Sequence, residues 1–301
     1  MPSRVPCPDA LPKPPWLYKK IPCTDLTRVF ANMRAIFEEL GVYTVCEGAR
    51  CPNQMDCFAE GTATFMILGE ICTRNCRFCA VKKGRPKPPN PEEPWRVAEA
   101  VRRLGLTHAV ITSVTRDDLP DGGAFQFAQT VRAIRSLNPR TTVEVLVPDF
   151  KGDERALQEV LEVEPDVLNH NVETVPRLYS MVRPQANYER SLHLLARAHK
   201  IKPSLITKSG LMVGLGESEE EVLKVLEDLR AAGCSIVTIG QYLRPSLHHL
   251  PVARYVPPDE FERFKQIAFE MGFQFVASAP FVRSSYRAAE ALQAVRGNHR
   301  G

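Results

Sequence analysis

The chain of 301 residues contains no apolar run close to the 18 or more residues that a membrane-spanning helix requires. Its first residues lack the apolar stretch of a signal peptide, because Pro2, Pro6 and Pro8 interrupt them. Charges of one sign form no blocks, and the net charge is only +4. We therefore expect a cytoplasmic protein that has neither a membrane nor a nucleic acid as its partner.

A disulfide framework is not expected either, although the chain has nine cysteines. Their number is odd, no export signal is visible, and six of them lie between positions 46 and 79. In a reducing compartment, closely spaced cysteines more often bind metal than pair with each other. Cys7, Cys23 and Cys234 match no ligand spacing. We interpret Cys234 as a small buried apolar residue and the other two as free thiols.

The remaining composition is that of a globular protein, with 44% hydrophobic and 25% charged residues. A proline-rich start predicts an extended segment over the first 25 or so residues, and a helix follows over 26–40. Apolar runs rich in β-branched residues then alternate with amphipathic patterns. The predicted strands cover 64–68, 109–112, 142–147, 167–170, 204–213 and 236–239, and the predicted helices cover 91–104, 123–137, 153–163, 187–199 and 218–232.

This alternation is typical of an α/β fold whose parallel sheet has helical crossovers. Six units are fewer than the eight of a closed barrel. We therefore predict a partial, open parallel β/α barrel over 63–256, with an N-terminal extension over 1–62 and a C-terminal extension over 257–301. The last extension should contain a helix over 258–271, a strand over 273–278 and a helix over 286–296.

Local residue chemistry supports two of the helix starts. Asn90 followed by Pro91 predicts an N-cap with proline at the first helical position. Ser218 and Glu221 have the spacing of a capping box, in which each side chain accepts from the other residue's backbone N–H.

Cys72, Cys76 and Cys79, here called the second triad, directly follow the first predicted strand. Three thiolates this close can bind three irons of a 4Fe–4S cube and leave the fourth iron open to a small molecule. The alternative is zinc, but tetrahedral zinc normally takes four ligands, and His108 is the next downstream Cys or His. The spacing therefore favours an iron–sulfur cluster at the carboxyl end of a parallel strand, where such folds place their chemistry.

Cys46, Cys51 and Cys57, here called the first triad, have the spacing Cys-x4-Cys-x5-Cys. A zinc knuckle with a distant fourth ligand is one interpretation, and a single metal site that pools all six thiolates is another. Neither explains why both triads are incomplete in the same way. A second iron–sulfur cluster fits better.

The second triad, with Phe78 before its last cysteine, is similar to the signature of the radical S-adenosylmethionine (SAM) superfamily. The combined spacing of both triads resembles the lipoyl synthase family, and this resemblance runs from about Pro15 to Tyr286. The matching segments beyond the triads cover 112–119, 169–174, 208–217, 241–246 and 283–286. The resemblance implies that the open iron chelates SAM, that one electron cleaves SAM to a 5′-deoxyadenosyl radical, and that Phe78 lies beside this cofactor.

Ser285 is the second serine of the segment 283–286. From the residues alone, we interpret one of Ser284 and Ser285 as a cap of the helix that follows. The family resemblance instead implies that Ser285 is the fourth ligand of an auxiliary cluster on the first triad. An alkoxide is a harder ligand than a thiolate, and we hypothesise that such a ligand suits a cluster that is dismantled.

Other polar or glycine positions near the predicted strand ends are candidate cofactor or substrate contacts. Gly214 and Gly216 form either a tight turn or a backbone approach to adenosine. Arg244 is either a surface arginine or a residue that orients the substrate. His170 we interpret as structural. The candidates for the ribose or amino acid part of SAM are Asn169, Asn171 and Glu173.

The resemblance implies the insertion of two sulfur atoms at carbons 6 and 8 of an octanoyl chain on a carrier-protein lysine. Two SAM molecules would be consumed, the auxiliary cluster would be sacrificed as the sulfur donor, and ferredoxin or flavodoxin would supply electrons. Another two-cluster radical enzyme, such as a methylthio-transferring one, is an alternative, although no basic stripe for tRNA is visible. A zinc-stapled binding protein with an α/β body is the alternative from a different class.

Overall fold

A computed structural model describes residues 11–18, 26–54, 57 and 63–298. Most of the predicted proline-rich segment lies outside these residues, and so do Cys7 and Cys23. Within the described part, a helix at Leu26–Leu40 matches the prediction, and it follows a short 3-10 helix at Pro15–Leu17.

The described strands form one eight-stranded sheet and one separate two-stranded pair. In chain order they are β1 Tyr43–Thr44, β2 Thr64–Ile67, β3 Ile71–Cys72, β4 Lys82–Lys83, β5 His108–Ser113, β6 Thr142–Leu146, β7 Val167–Asn169, β8 Ile206–Val213, β9 Ile236–Gln241 and β10 Phe275–Ser278. The two-residue strands β1, β3 and β4 are too short to show a sequence period, and sequence reasoning did not predict them.

The large sheet has the order β1-β2-β5-β6-β7-β8-β9-β10. Every neighbouring pair from β2 to β10 is parallel, and only β1 is antiparallel to its neighbour β2. The sheet remains open between β1 and β10, which confirms the predicted partial parallel β/α barrel. The strand predicted over 273–278 in the C-terminal extension joins this sheet as β10.

Helices cross between the parallel strands, with ends within about two residues of the predicted ones. They span Glu93–Arg103, Ala124–Leu137, Glu154–Glu162, Tyr188–Ile201, Glu219–Ala231 and Pro258–Glu270. Both halves of the capping box between Ser218 and Glu221 are present. The N-cap prediction at Asn90 is wrong: the helix begins at Glu93, because Asn90 instead closes a preceding turn by accepting the Glu92 N–H at 3.0 Å.

The C-terminal helix Ala288–Asn298 covers the amino end of the sheet. Ala291, Leu292 and Val295 pack against Val167, Ile206 and Ile236, which are the first residues of β7, β8 and β9. The carboxyl ends of the strands are therefore left for the functional site. Across the described part of the chain, no helix is both long and apolar enough to span a bilayer.

Polar residues occupy the interior of the sheet near its middle. Lys208 on β8 donates to Glu144 on β6 at 2.9 and 3.1 Å, and both side chains are about 1% exposed. Burial alone would raise the pKa of Glu144, but Lys208 and His108 outweigh it and lower the pKa to about 2. Asn169 on β7 donates to the same carboxylate at 2.8 Å. The carboxylate therefore fixes the orientation of the Asn169 amide.

Candidate active site

The second triad lies on a loop that several strands hold in place. β3 and β4 pair across the base of this loop, with Cys72 opposite Lys83. Thr73 donates through both its backbone N–H and its hydroxyl to the Thr115 carbonyl, at 3.0 and 2.9 Å. The turn before the loop has positive φ at Leu68 and Gly69, and the buried Glu93 carboxylate accepts both backbone N–H groups, at 2.8 and 3.3 Å.

Arg74, between Cys72 and Cys76, anchors the loop to the barrel through buried charges. Its guanidinium donates to Asp117 at 2.7 Å and to Asp149 at 2.5 Å, and its side chain is only 3% exposed. Burial would raise the pKa of Asp149, but Arg74 outweighs it and lowers the pKa to about 2. Asp149 is therefore ionised at neutral pH, and the pair holds the loop against β5 and β6.

The first triad lies on a compact loop that starts with the short helix Val45–Gly48. Thr44 caps this helix by accepting the Glu47 N–H at 3.3 Å. The Cys51 N–H donates to the Cys46 carbonyl, and the Cys57 N–H donates to the Asn53 carbonyl, both at 2.9 Å. The Asn53 side chain donates to the Phe281 carbonyl at 2.6 Å and so ties this loop to the C-terminal extension.

All six thiols line a single cavity of about 520 Å³, here called the thiol cavity. It lies at the carboxyl ends of the strands and is bounded on one side by the C-terminal turn, defined here as residues 281–287. Of the predicted site residues, it is also lined by Phe78, Asn171, Glu173, Arg244 and Ser285. The structure thus brings together two triads that are far apart from Ser285 in sequence.

The thiols of the cavity are free, and burial governs the protonation of three of them. All seven described cysteines lack disulfide partners. Burial raises the pKa of Cys46 to about 11 and that of Cys79 to about 12, and it also raises the pKa of Cys76. Without metal, Cys46, Cys76 and Cys79 therefore stay protonated at neutral pH, and metal binding to them would release protons.

The donor set fits iron–sulfur clusters in its chemistry. Each triad offers three thiols on the wall of the same cavity, and Ser285 adds a hydroxyl to that wall. Thiolates are the usual ligands of such clusters. Within the described residues, no three His, Cys, Asp or Glu side chains already stand close enough together to hold a single metal ion.

Three of the predicted cofactor residues are not among the described residues that line the thiol cavity: Asn169, Gly214 and Gly216. Asn169 points into the sheet interior, towards Glu144. Gly214 has φ 99°, and a Cβ there would lie 2.1 Å from the Gln241 side chain, so this glycine permits close packing. Gly216 has φ 110° in the same turn. Contacts of these residues with SAM stay a prediction.

Asn171 and Glu173 do line the cavity, and Arg183 joins them. The Asn171 side chain donates to Glu173 at 3.1 Å, and the Arg183 guanidinium donates to the Asn171 carbonyl at 2.9 Å. Burial raises the pKa of Glu173, although Arg183 opposes this effect. Sequence reasoning missed Arg183, because a single arginine in a turn before Pro184 carries no recognisable pattern.

His170, Cys234 and Arg244 have local packing roles. The His170 ring contacts the Val147 carbonyl at 2.8 Å, and burial lowers its pKa to about 4, so it is neutral and structural. Cys234 is fully buried among apolar residues, as predicted. Arg244 borders the cavity while its guanidinium donates to the Leu247 and His249 carbonyls, at 2.6 and 2.9 Å, and closes that turn.

The interpretation of one serine as a helix cap is wrong. The helix begins at Ala288, and no described hydrogen bond joins either serine hydroxyl to its first turn. Ser284 instead bonds Asn169 and Asn171 of the barrel, each at 2.9 Å. Ser285 lines the thiol cavity.

Comparison with known proteins identifies the family. The model of the radical SAM superfamily matches residues 66–229, more than half of the chain. The lipoyl synthase of Caldanaerobacter subterraneus subsp. tengcongensis is 59% identical and covers 95% of this chain and 99% of its own. Those of Rubrobacter xylanophilus and Citrifermentans bemidjiense are 55% and 56% identical, covering 94% and 95% of this chain and 88% and 96% of their own.

Solved structures at low sequence identity share the fold. Methylornithine synthase superposes with a TM-score of 0.53 at 12% identity, covering 84% of this chain and 77% of its own. HydG, a maturase of the FeFe hydrogenase, superposes with a TM-score of 0.55 at 16% identity, covering 90% and 59%. With the motifs and the arrangement of the thiols, the sequence matches establish that this chain belongs to the lipoyl synthase family of the radical SAM superfamily.

Proposed function

We propose that this chain is a lipoyl synthase that inserts two sulfur atoms at carbons 6 and 8 of an octanoyl chain carried on a protein lysine. The observation that carries the proposal is that both triads and Ser285 line one cavity at the open end of the barrel. The same unactivated carbon must be attacked by a radical and then receive sulfur. The radical source at the second triad and the sulfur donor at the first triad must therefore face one closed space. The shared cavity meets this requirement.

The second triad would hold the 4Fe–4S cluster that membership of the radical SAM superfamily implies. The buried Arg74 pair keeps the loop of Cys72, Cys76 and Cys79 in one conformation before metal binds. Asn171 and Glu173 present polar atoms on the adjacent wall, and Arg183 limits the cost of burying the Glu173 carboxylate. These groups suit the amino acid and ribose parts of SAM, with Phe78 against the cofactor.

The first triad and Ser285 would hold the auxiliary cluster. Asn53 keeps the loop of Cys46, Cys51 and Cys57 against the C-terminal turn. The Arg283 guanidinium lies close enough to Cys51 for an electrostatic interaction. Arg283 and Cys51 line the same cavity.

When bound, the clusters and SAM supply a carbon radical and sulfur, chemistry that acid–base groups cannot provide at an unactivated C–H bond. The side chains of the chain exclude water and orient the substrate. The cavity wall includes Met66, Val114, Leu146 and Leu211, an apolar surface suited to an octanoyl chain. Arg244, at the border of this wall, would orient the carrier-bound arm.

The proposed partners are an octanoylated carrier-protein domain and an electron donor such as ferredoxin or flavodoxin. A thin acyl arm on a folded domain fits a cavity that only one end of the barrel leaves open. A cytoplasmic location, and contacts of Asn169, Gly214 and Gly216 with the cofactor, also stay predictions.

The test is an assay on the full chain after anaerobic reconstitution, with an octanoyl-lysine peptide, SAM and reductant. We expect a product carrying two added sulfur atoms, detected by mass spectrometry. Iron should be about eight per chain and fall to about four when either triad is changed to alanine. About one zinc per chain with little iron would contradict the proposal and favour a zinc-stapled binding protein. A methylthio group on the product would favour another two-cluster enzyme.

A further inference from the structure

Two adjacent serines in the C-terminal turn have different surroundings. The Ser284 hydroxyl accepts from the Asn169 amide and donates to the Asn171 side-chain oxygen, each at 2.9 Å. Both serines line the thiol cavity, but the Ser285 hydroxyl makes no hydrogen bond to any residue in the described part of the chain. Ser284 therefore uses both its donor and its acceptor on the barrel, whereas the Ser285 hydroxyl has no such partner within the described residues.

The orientation of Asn169 follows from the buried ion pair beneath it. The ionised Glu144 carboxylate can only accept, so the Asn169 NH2 group must point towards it. The second hydrogen of the same NH2 group is directed at Ser284. Because Ser284 receives this hydrogen, its own hydroxyl hydrogen is free for Asn171. Glu144 thus accepts from both Lys208 and Asn169, and from Asn169 the hydrogen bonds run in one donor direction, through Ser284 to Asn171 at the cavity wall.

Asn169 is fully buried, and its side-chain oxygen has no hydrogen-bond partner within the described residues. Within the described residues, the Asn169 side chain therefore forms hydrogen bonds only through its nitrogen, to Glu144 and Ser284. Burying such an amide with one atom unsatisfied is costly, which indicates that the position is constrained by what the nitrogen holds.

We propose that Asn169 and Ser284 are positioning residues that dock the C-terminal turn onto the barrel and thereby aim Ser285 at the thiol cavity. What Ser285 binds follows from the proposed function. The docking of the turn does not depend on that function and can be measured on the metal-free chain. Asn53 holds the same turn from the other side, through Phe281.

The deciding experiment is hydrogen exchange on the metal-free full chain, for wild type, Ser284→Ala, Asn169→Ala and Ser284→Thr. The Val282 and Tyr286 amides of the turn bond the Ala279 and Arg283 carbonyls, and they report its opening. Loss of one or two hydrogen bonds should speed their exchange roughly three- to tenfold. Ser284→Thr keeps a hydroxyl and should retain slow exchange.

Ser278→Ala is the matched control. Its hydroxyl donates to the Phe261 carbonyl at 2.7 Å, in the same extension, and neither residue is among those that line the thiol cavity. It should leave exchange in 281–287 unchanged. A second readout is the iron content of each variant, measured in two backgrounds. In one background the second triad is intact, and in the other Cys72, Cys76 and Cys79 are changed to alanine, so that only iron at the first triad is counted. Ser284→Ala should lower the iron of the first triad alone. Equal loss at both clusters, or exchange in 281–287 that matches Ser278→Ala, would overturn the proposal.

Discussion

The two triads share a cavity, but their loops are held in different ways. The loop of the second triad is fixed by a strand pair at its base, by two bonds from Thr73 and by the buried charges of Arg74. Among the described residues, the loop of the first triad is fixed by its own backbone turns, and Asn53 adds a bond to Phe281 that spans 228 positions. The loop of the second triad is held by the barrel, whereas the loop of the first triad is held by a contact between the N- and C-terminal extensions.

This difference suggests how each site responds to damage. A change at the second triad removes support that lies within one contiguous α/β unit and should reduce the stability of the whole barrel. A change at the first triad separates its loop from the C-terminal turn, but other contacts still hold each of them. The loss of stability should therefore stay local. Three substitutions and a change of pH should separate the two loops, with effects of decreasing size.

Arg74→Met should have the largest effect. It leaves Asp149 buried without its closest partner and should lower the free energy of unfolding by about 3–5 kcal/mol. The second triad should also bind less iron. Urea denaturation and iron analysis measure the two effects. Arg254→Met, which removes a half-exposed pair with Glu260, is the control and should cost less than about 1 kcal/mol. An equal loss of unfolding free energy in the two variants would contradict the prediction that the buried charges of Arg74 matter more than an exposed pair.

Low pH should lower the stability of the barrel, because unfolding allows His170 to bind a proton. Burial lowers its pKa to about 4, below the value of about 6.5 in an unfolded chain. Between these values the unfolded state binds the extra proton, so stability falls as pH drops from 6.5 to 4, by up to about 3 kcal/mol. Denaturation curves across this range should flatten in His170→Gln. His193→Gln, at an exposed position, should keep the wild-type slope; a flat wild-type curve would refute the prediction.

Asn53→Ala should have a smaller, local effect. Loss of its bond to Phe281 should cost about 1 kcal/mol and lower iron at the first triad while the second triad stays loaded. Asn187→Ala is matched in stability, because it removes the cap of the helix Tyr188–Ile201. It should leave both iron contents unchanged. Iron loss at both triads in Asn53→Ala would contradict the independence of the two loops.

Lys82→Ala should have the smallest effect. Lys82 pairs with Glu70 at 2.6 Å beside the second triad, but its side chain is 69% exposed. A solvated pair of this kind should change the free energy of unfolding by at most about 0.5 kcal/mol. Thermal denaturation at low and high salt would measure it. A loss comparable with that of Arg74→Met would show that proximity to the loop, rather than burial, decides the cost.

Strand and helix positions followed from the sequence because their signals are local. Apolar β-branched runs marked the parallel strands, and the side chains of Ser218 and Glu221 marked a helix start. The short strands β1, β3 and β4 carry no such signal, since two residues cannot show a period. Asn90 followed a familiar capping pattern, yet its side chain closed the turn that directly precedes the helix.

The site was predictable where residue type alone carries chemistry, as at the six cysteines. It was less so where geometry decides. Asn169 and Asn171 are both asparagines at one strand end, but the first points into the sheet and the second lines the cavity. Ser284 and Ser285 both line the cavity, but only Ser284 has side-chain hydrogen bonds to the barrel within the described residues. Arg183 reaches the site from a turn whose sequence shows nothing unusual. Which face a polar residue takes depends on contacts that are distant in sequence.

The bond between Asn53 and Phe281 has a consequence for the order of events during synthesis. Because it spans 228 positions, the first triad emerges from the ribosome long before the residues that hold its loop. The second triad and its anchor Asp149 are separated by only 75 positions and meet much earlier. The Arg74 anchor of the second triad can therefore form earlier in synthesis than the Asn53 anchor of the first triad.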